Sequence, residues 1–192
     1  MVFPKKAFHN VLSNSSFLPQ LSRFGFAAAD LPITDHKFLL DVRNDILSLH
    51  TNDQLVANWS RFVTKGETTA LQKTGIYENN LPLDNPSSTP ALEELWENRH
   101  FLTNTINENN HSLKENFIPK LSSPSIKIQY NSGEGACFPC HFDSDASVDD
   151  RCLTFILYLN PEYLNLDTAP HIAAKQGGHF IAYPLPFPPI FL

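Results

Sequence analysis

Nowhere does the chain carry an apolar run approaching the roughly 20 residues that a bilayer span needs. The expectation is a soluble protein that spans no membrane and is intracellular, either cytoplasmic or nuclear. Basic clusters are missing as well: 14 Lys and Arg lie scattered against 20 Asp and Glu, for a formal net charge of -6. That pattern has no electrostatic footprint for nucleic acid or an anionic membrane surface, so neither is expected as a partner. Cysteine is scarce too. Cys137, Cys140 and Cys152 lie close together, odd in number and without a secretory leader, which argues against a disulfide framework and for reduced thiols. Residues 1–29 hold no Asp or Glu but include Lys5, Lys6, Arg23 and several serines, a composition resembling an organellar transit peptide. The plainer reading is a flexible leader, residues 1–23, running into a first strand near Phe24-Gly-Phe26. No internal repeat is visible.

What the chain does have is enough apolar and aromatic sequence, 42% and 11%, to bury the core of one domain over about residues 24–192. From Asp35, Leu39, Val42, Ile46 and Leu49 recur at helical spacing, which predicts a helix over 36–50. Asp53 as a cap, followed by Leu55, Val56, Trp59 and Phe62, predicts a second helix to about Thr64. Residues 66–90, polar and broken by Pro82, Pro86 and Pro90, read as a long loop. Thr89-Pro90 then starts a third helix marked by Leu92, Leu95, Trp96, Arg99, Leu102 and Ile106. Asn109-Asn110 interrupts it, and Leu113 and Phe117 extend the same face before Pro119.

Past Pro124 the period falls to two. Ile126, Ile128 and Tyr130 alternate with Lys127 and Gln129, as in a half-buried strand. Cys152 to Leu159 is nearly continuous apolar sequence, as in a strand covered on both faces, and His179 to Tyr183 is a third strand candidate. Helices over about 24–120 and strands over about 124–184 make an α+β plan.

His141-Phe142-Asp143 carries the chemistry. In an extended strand, residues i and i+2 project to the same face, so one imidazole and one carboxylate can share an ion. With a distant second histidine they complete the arrangement that holds iron(II) on one side and leaves the other positions open for co-substrate and oxygen. Alone, His-x-Asp is a weak signal.

Its surroundings sharpen it. The run from Ile126-Lys-Ile-Gln-Tyr130 through Cys137-Phe-Pro-Cys-His-Phe-Asp143, then Arg151-Cys-Leu-Thr-Phe-Ile-Leu-Tyr-Leu-Asn-Pro161, then Gly177-Gly-His-Phe-Ile-Ala-Tyr-Pro184, resembles the middle of a prolyl-hydroxylase-type, iron(II)- and 2-oxoglutarate-dependent dioxygenase. The resemblance implies a double-stranded β-helix, or jelly roll, with the N-terminal helices packed on its larger sheet. It implies His141 and Asp143 as catalytic iron ligands. Tyr158 corresponds to the tyrosine that meets the distal carboxylate of 2-oxoglutarate, a role suited to a phenol that can donate to a carboxylate. Tyr130 corresponds to a strand tyrosine lining the co-substrate pocket; the plain alternative for either is an ordinary strand or core tyrosine. The implied activity couples hydroxylation of a protein or peptide substrate, at proline, to decarboxylation of 2-oxoglutarate to succinate. Ascorbate is the implied reductant.

The chain departs from the pattern toward its C-terminus. In the family the second histidine follows His-x-Asp by roughly fifty to sixty residues, with a basic residue for the co-substrate carboxylate about ten further on. Here the chain ends at Leu192, no Arg follows Arg151, the one later Lys is Lys175, and the later histidines are His171, in a stretch that reads as loop, and His179, at a strand position that bears no ligand in the family. The proline-dense tail from Tyr183 cannot supply a central strand, because each proline removes a ladder donor. The jelly roll is therefore expected to be incomplete, and the chain as written feeble or inactive, with a non-catalytic oxygenase fold kept for binding as the alternative.

Cys137-Phe-Pro-Cys140-His141 also matches a c-type haem attachment signature and a thioredoxin-like dithiol, and with a fourth ligand it would suit zinc. Haem attachment requires export and a second axial ligand, yet the one methionine is Met1. A dithiol site requires a helix N-terminus after a strand, whereas these surroundings are β-like.

Overall fold

The computed structural model describes residues 2–31, 37–64, 67–84, 88–110, 119–133, 151–159, 181–182 and 190–191. The chain divides into two compact units, residues 1–38, 97–124 and 160–192 in one and 39–96 with 125–159 in the other. Helix and sheet are both present, in keeping with the α+β expectation. No helix among the described residues is long and apolar enough to cross a membrane.

In the first unit, α1 (Lys5–Leu12) starts on Pro4, whose carbonyl accepts from Ala7 and Phe8, and it buries Ala7, Phe8 and Leu12. α2 (Phe17–Phe24) buries Leu18 and Leu21 and stops at Gly25, whose φ of 76° needs a residue without Cβ strain. Residues 5–24 are thus largely helical, and no strand forms at Phe24-Gly-Phe26. Phe3 joins the aromatic cluster of this unit, stacked on Phe8 at 5.0 Å and edge-on to Phe38 at 5.6 Å and Phe101 at 6.0 Å. Asn107 in α5 (Arg99–Asn110) mimics a strand partner: its amide donates to the Leu121 carbonyl and its oxygen accepts the Leu121 N–H. The strands β4 (Ile181–Ala182) and β5 (Ile190–Phe191) pair antiparallel.

The second unit holds most of α3 (Lys37–Thr51), whose Val42, Ile46 and Leu49 are buried as their spacing predicts. Each contributes roughly 1.5–3 kcal/mol on leaving water. Its sheet is three antiparallel strands in the order β1-β2-β3: β1 (Val56–Thr64), β2 (Glu67–Leu81) and β3 (Ile126–Asn131). The strand expected from Ile126, Ile128 and Tyr130 is β3, with Ile128 buried.

Three expectations fail here. The helix expected from Asp53 to Thr64 is strand β1. Asp53 does not open a helix but closes α3: it has a φ of 55°, its N–H returns to the His50 carbonyl and that of Gln54 to Leu49, the two bonds of a Schellman stop. The residues beyond it, rich in aromatic and β-branched side chains, then suit a pleated ladder. The long loop expected over 66–90 is mostly β2, a polar strand whose outer half is exposed. It shows no apolar alternation because pairing with β1 and β3, rather than burial, satisfies its backbone. The covered strand expected over 152–159 is absent: residues 151–159 have no regular secondary structure, and Phe155, Ile156 and Tyr158 are 45%, 49% and 50% exposed. An apolar run becomes a strand only where a neighbouring ladder takes it up, and no described strand does so.

The third helix is divided at Asn98 into α4 (Pro90–Glu97) and α5. Residues 111–118, with the predicted extension at Leu113 and Phe117, lie outside the described residues. At the start of α4, Asp45 reaches over from α3 and its Oδ2 accepts the N–H groups of Ala91 (2.8 Å) and Leu92 (3.1 Å). Burial holds this carboxyl above its usual range against the pull of those two N–H groups, and Asp41 adds to the rise. A raised carboxyl means that the native chain binds the proton more tightly than the unfolded one. Stability from this group is therefore greatest below the ordinary value of 3.8 and is lost as pH rises from there through the native value. Asp45→Ala, which strands two donors, is expected to lose about 1 kcal/mol in urea unfolding. Asp45→Asn keeps an acceptor oxygen, so it should lose less and should also remove this pH-dependent contribution.

Candidate functional site

Of the four residues that the sequence assigns to a site, the structure describes two. His141 and Asp143 lie outside the described residues, as do Cys137, Cys140, His171, Gly177, Gly178 and His179. Tyr130 is on β3, in direct register with Tyr77 of β2. Tyr158 is in the segment without regular structure, half exposed.

Because successive residues of a strand face opposite sides, the sheet of this unit presents two different chemical surfaces. One carries Tyr77 and Tyr130 across the ladder, with ring centroids 6.5 Å apart. The imidazole of His50, from the last turn of α3, packs on both, 4.2 Å from Tyr130 at a tilt of 32° and 4.8 Å from Tyr77 at 50°. All three rings are half-buried. Two phenols and an imidazole so grouped combine apolar ring surface with hydrogen-bonding tips, a combination suited to one end of an anionic organic molecule.

The opposite surface is charged. Glu78 accepts from Lys127 Nζ at 3.2 Å on both carboxylate oxygens, and from the side-chain amide of Asn58. Asn58 stands where the β1 register slips, between Ala57, paired with Tyr77, and Trp59, paired with Gln72. Gly75, in the facing stretch of β2, takes a φ of 71° to make the slip, and its carbonyl accepts from the Ser132 N–H at 2.8 Å. Asn58 is 5% exposed, and its Oδ1 is buried without a hydrogen-bond partner among the described residues. Partial burial and the nearby Lys127 hold the Lys73 ammonium below its usual range, against the opposing pull of Glu78. Lys127 pairs with the Glu78 carboxylate, and Lys73 lies within its electrostatic reach.

Among the described residues no group of three or more His, Cys, Asp or Glu side chains is placed to hold a metal ion. Neither His50 nor Tyr77 stands out as a site residue in the sequence. A signal existed for His50, which extends the inward stripe of Val42 and Ile46 by one turn; none existed for Tyr77 inside a stretch read as loop.

No family model matches the chain, and neither does any curated protein or solved structure.

Cys152 is exposed with a free thiol. In a Cys137→Ser, Cys140→Ser chain, a maleimide should label it under native conditions at close to the rate of the unfolded chain. Protection of about tenfold or more would instead mean that this segment is covered.

Proposed function

We propose that the chain is, by type, an iron(II)- and 2-oxoglutarate-dependent dioxygenase of the prolyl-hydroxylase kind, built on a jelly-roll core and directed at a protein or peptide substrate, with weak or no turnover as written because its residues offer two iron ligands and no matching second histidine or basic clamp. The observation that carries this reading is the order of three sequence blocks: an alternating run that leads into His141-Phe-Asp143, then Leu157-Tyr-Leu-Asn160, then Gly177-Gly178 with the apolar sequence that follows it. The antiparallel, half-buried β3 at the head of the first block supports it.

On this reading His141 and Asp143 are the protein's iron donors, one imidazole and one carboxylate. Tyr158 donates its hydroxyl to the distal carboxylate of 2-oxoglutarate, and Tyr130 lines the wall of the same pocket. Iron held by these two residues would supply the oxidising chemistry that couples 2-oxoglutarate decarboxylation to substrate hydroxylation. The protein's part is to orient the reactants and exclude water. Ascorbate serves to keep the iron reduced.

The test is metal binding by the purified 192-residue chain, titrated anaerobically with iron(II). His141→Ala and Asp143→Ala should each weaken binding by at least about tenfold, whereas His171→Ala and His179→Ala should leave it unchanged. Equal binding by all five proteins removes the ligand assignment.

A further inference from the structure

We propose that His50 is a positioning residue for Tyr130 and, through it, for the 2-oxoglutarate pocket, an inference that rests on the reading of Tyr130 given above. Tyr130 sits on β3, which in the described sheet is hydrogen-bonded to β2 on one side. Its cross-strand neighbour Tyr77 has its centroid 6.5 Å away, at the far end of the range for an aromatic pair. His50 is closer to each phenol than they are to one another, so each phenol packs more closely on its ring than on the other.

The imidazole is itself well held. α3 is anchored by buried Val42, Ile46 and Leu49, and it ends one residue after His50 in a stop that uses the His50 carbonyl. Just beyond that stop, the Gln54 carbonyl accepts from the Asn79 side chain at 3.1 Å, which ties the helix exit to β2 on the strand that carries Tyr77. The ring is thus delivered to the sheet from a rigid element, as a group that orients another must be. His50 needs no contact with 2-oxoglutarate in this role; it restricts the rotamer of the phenol that makes one.

The experiment uses the full chain with ring-labelled tyrosine, following the Tyr130 resonances by NMR, identified with Tyr130→Phe. It also measures 2-oxoglutarate binding by ligand-observed NMR with zinc(II) in place of iron. His50→Phe keeps a ring at the position, and His50→Leu fills the space without one. His50→Leu should shift the Tyr130 signals and weaken 2-oxoglutarate binding by roughly threefold to tenfold, as expected on losing an aromatic pair contact, while His50→Phe restores both. Binding by His50→Leu equal to that of the unsubstituted chain, with Tyr130→Phe still weakened, overturns the role of His50 and leaves Tyr130 in the pocket. If Tyr130→Phe binds as the unsubstituted chain does, or that chain does not bind, the reading of Tyr130 fails and the positioning role with it.

Discussion

At the end of α3 the backbone of Asp53 takes a positive φ, and the N–H groups of Asp53 and Gln54 turn back onto the carbonyls of His50 and Leu49. Several features of this unit follow from that closure. It satisfies two carbonyls that a helix end would otherwise leave without partners. It stops the helix one residue past His50, so that the ring lies against the sheet. It also redirects the chain into β1, giving β2 a partner on its second side. The stop uses an aspartate where glycine is the usual choice. Asp and Asn tolerate the left-handed region better than most residues with a Cβ, at a modest cost that the two recovered hydrogen bonds offset.

With β1 in place, β2 is paired on both edges at Tyr77 and Glu78, and its side chains there differ from face to face. Tyr77 points to the aromatic side, and Glu78 to the charged side with Lys127 and Asn58. The slip in the β1 ladder at Asn58, with Gly75 opposite, bends the strand pair where the Ser132 N–H extends β3 pairing past Asn131. A bulge raises local twist and re-aims neighbouring side chains. Tyr77, two residues beyond Gly75, therefore takes its direction from the bulge as well as from the ladder.

How much of this the sequence discloses depends on whether local pattern and tertiary pairing agree. α3 is legible because Val42, Ile46 and Leu49 carry the burial that stabilises it, and β3 because Ile126, Ile128 and Tyr130 alternate on a half-buried strand. The start of α4 is legible from Thr89-Pro90, but not the carboxylate on its first N–H groups, which comes from Asp45 far earlier in the chain. Val56, Trp59 and Phe62 fit a helical stripe and a strand equally well, and only the left-handed Asp53 decides between them. β2 is polar because its outer half pairs with a single strand and faces water, so the usual cue of apolar alternation has no reason to exist there. The run from Cys152 errs in the other direction: apolar content implied burial, yet it stands largely exposed. Within the candidate site, Tyr130 was visible as a strand tyrosine. Its neighbours His50 and Tyr77 come from distant stretches that no local pattern connects.

The two tyrosines proposed to serve the co-substrate are consequently not equivalent. A group that orients a carboxylate must be held within a fraction of an ångström and a few tens of degrees, and that precision comes from the element bearing it and the side chains around it. Tyr130 has both, a ladder position opposite Tyr77 and the His50 ring at 4.2 Å. Tyr158 stands half exposed in a stretch without regular secondary structure. Water at an exposed phenol competes for the hydrogen bond that a carboxylate would accept, and the net gain from that bond shrinks accordingly. Of the two, Tyr130 holds a ladder position with a ring packed on it, whereas Tyr158 lies on no strand among the described residues.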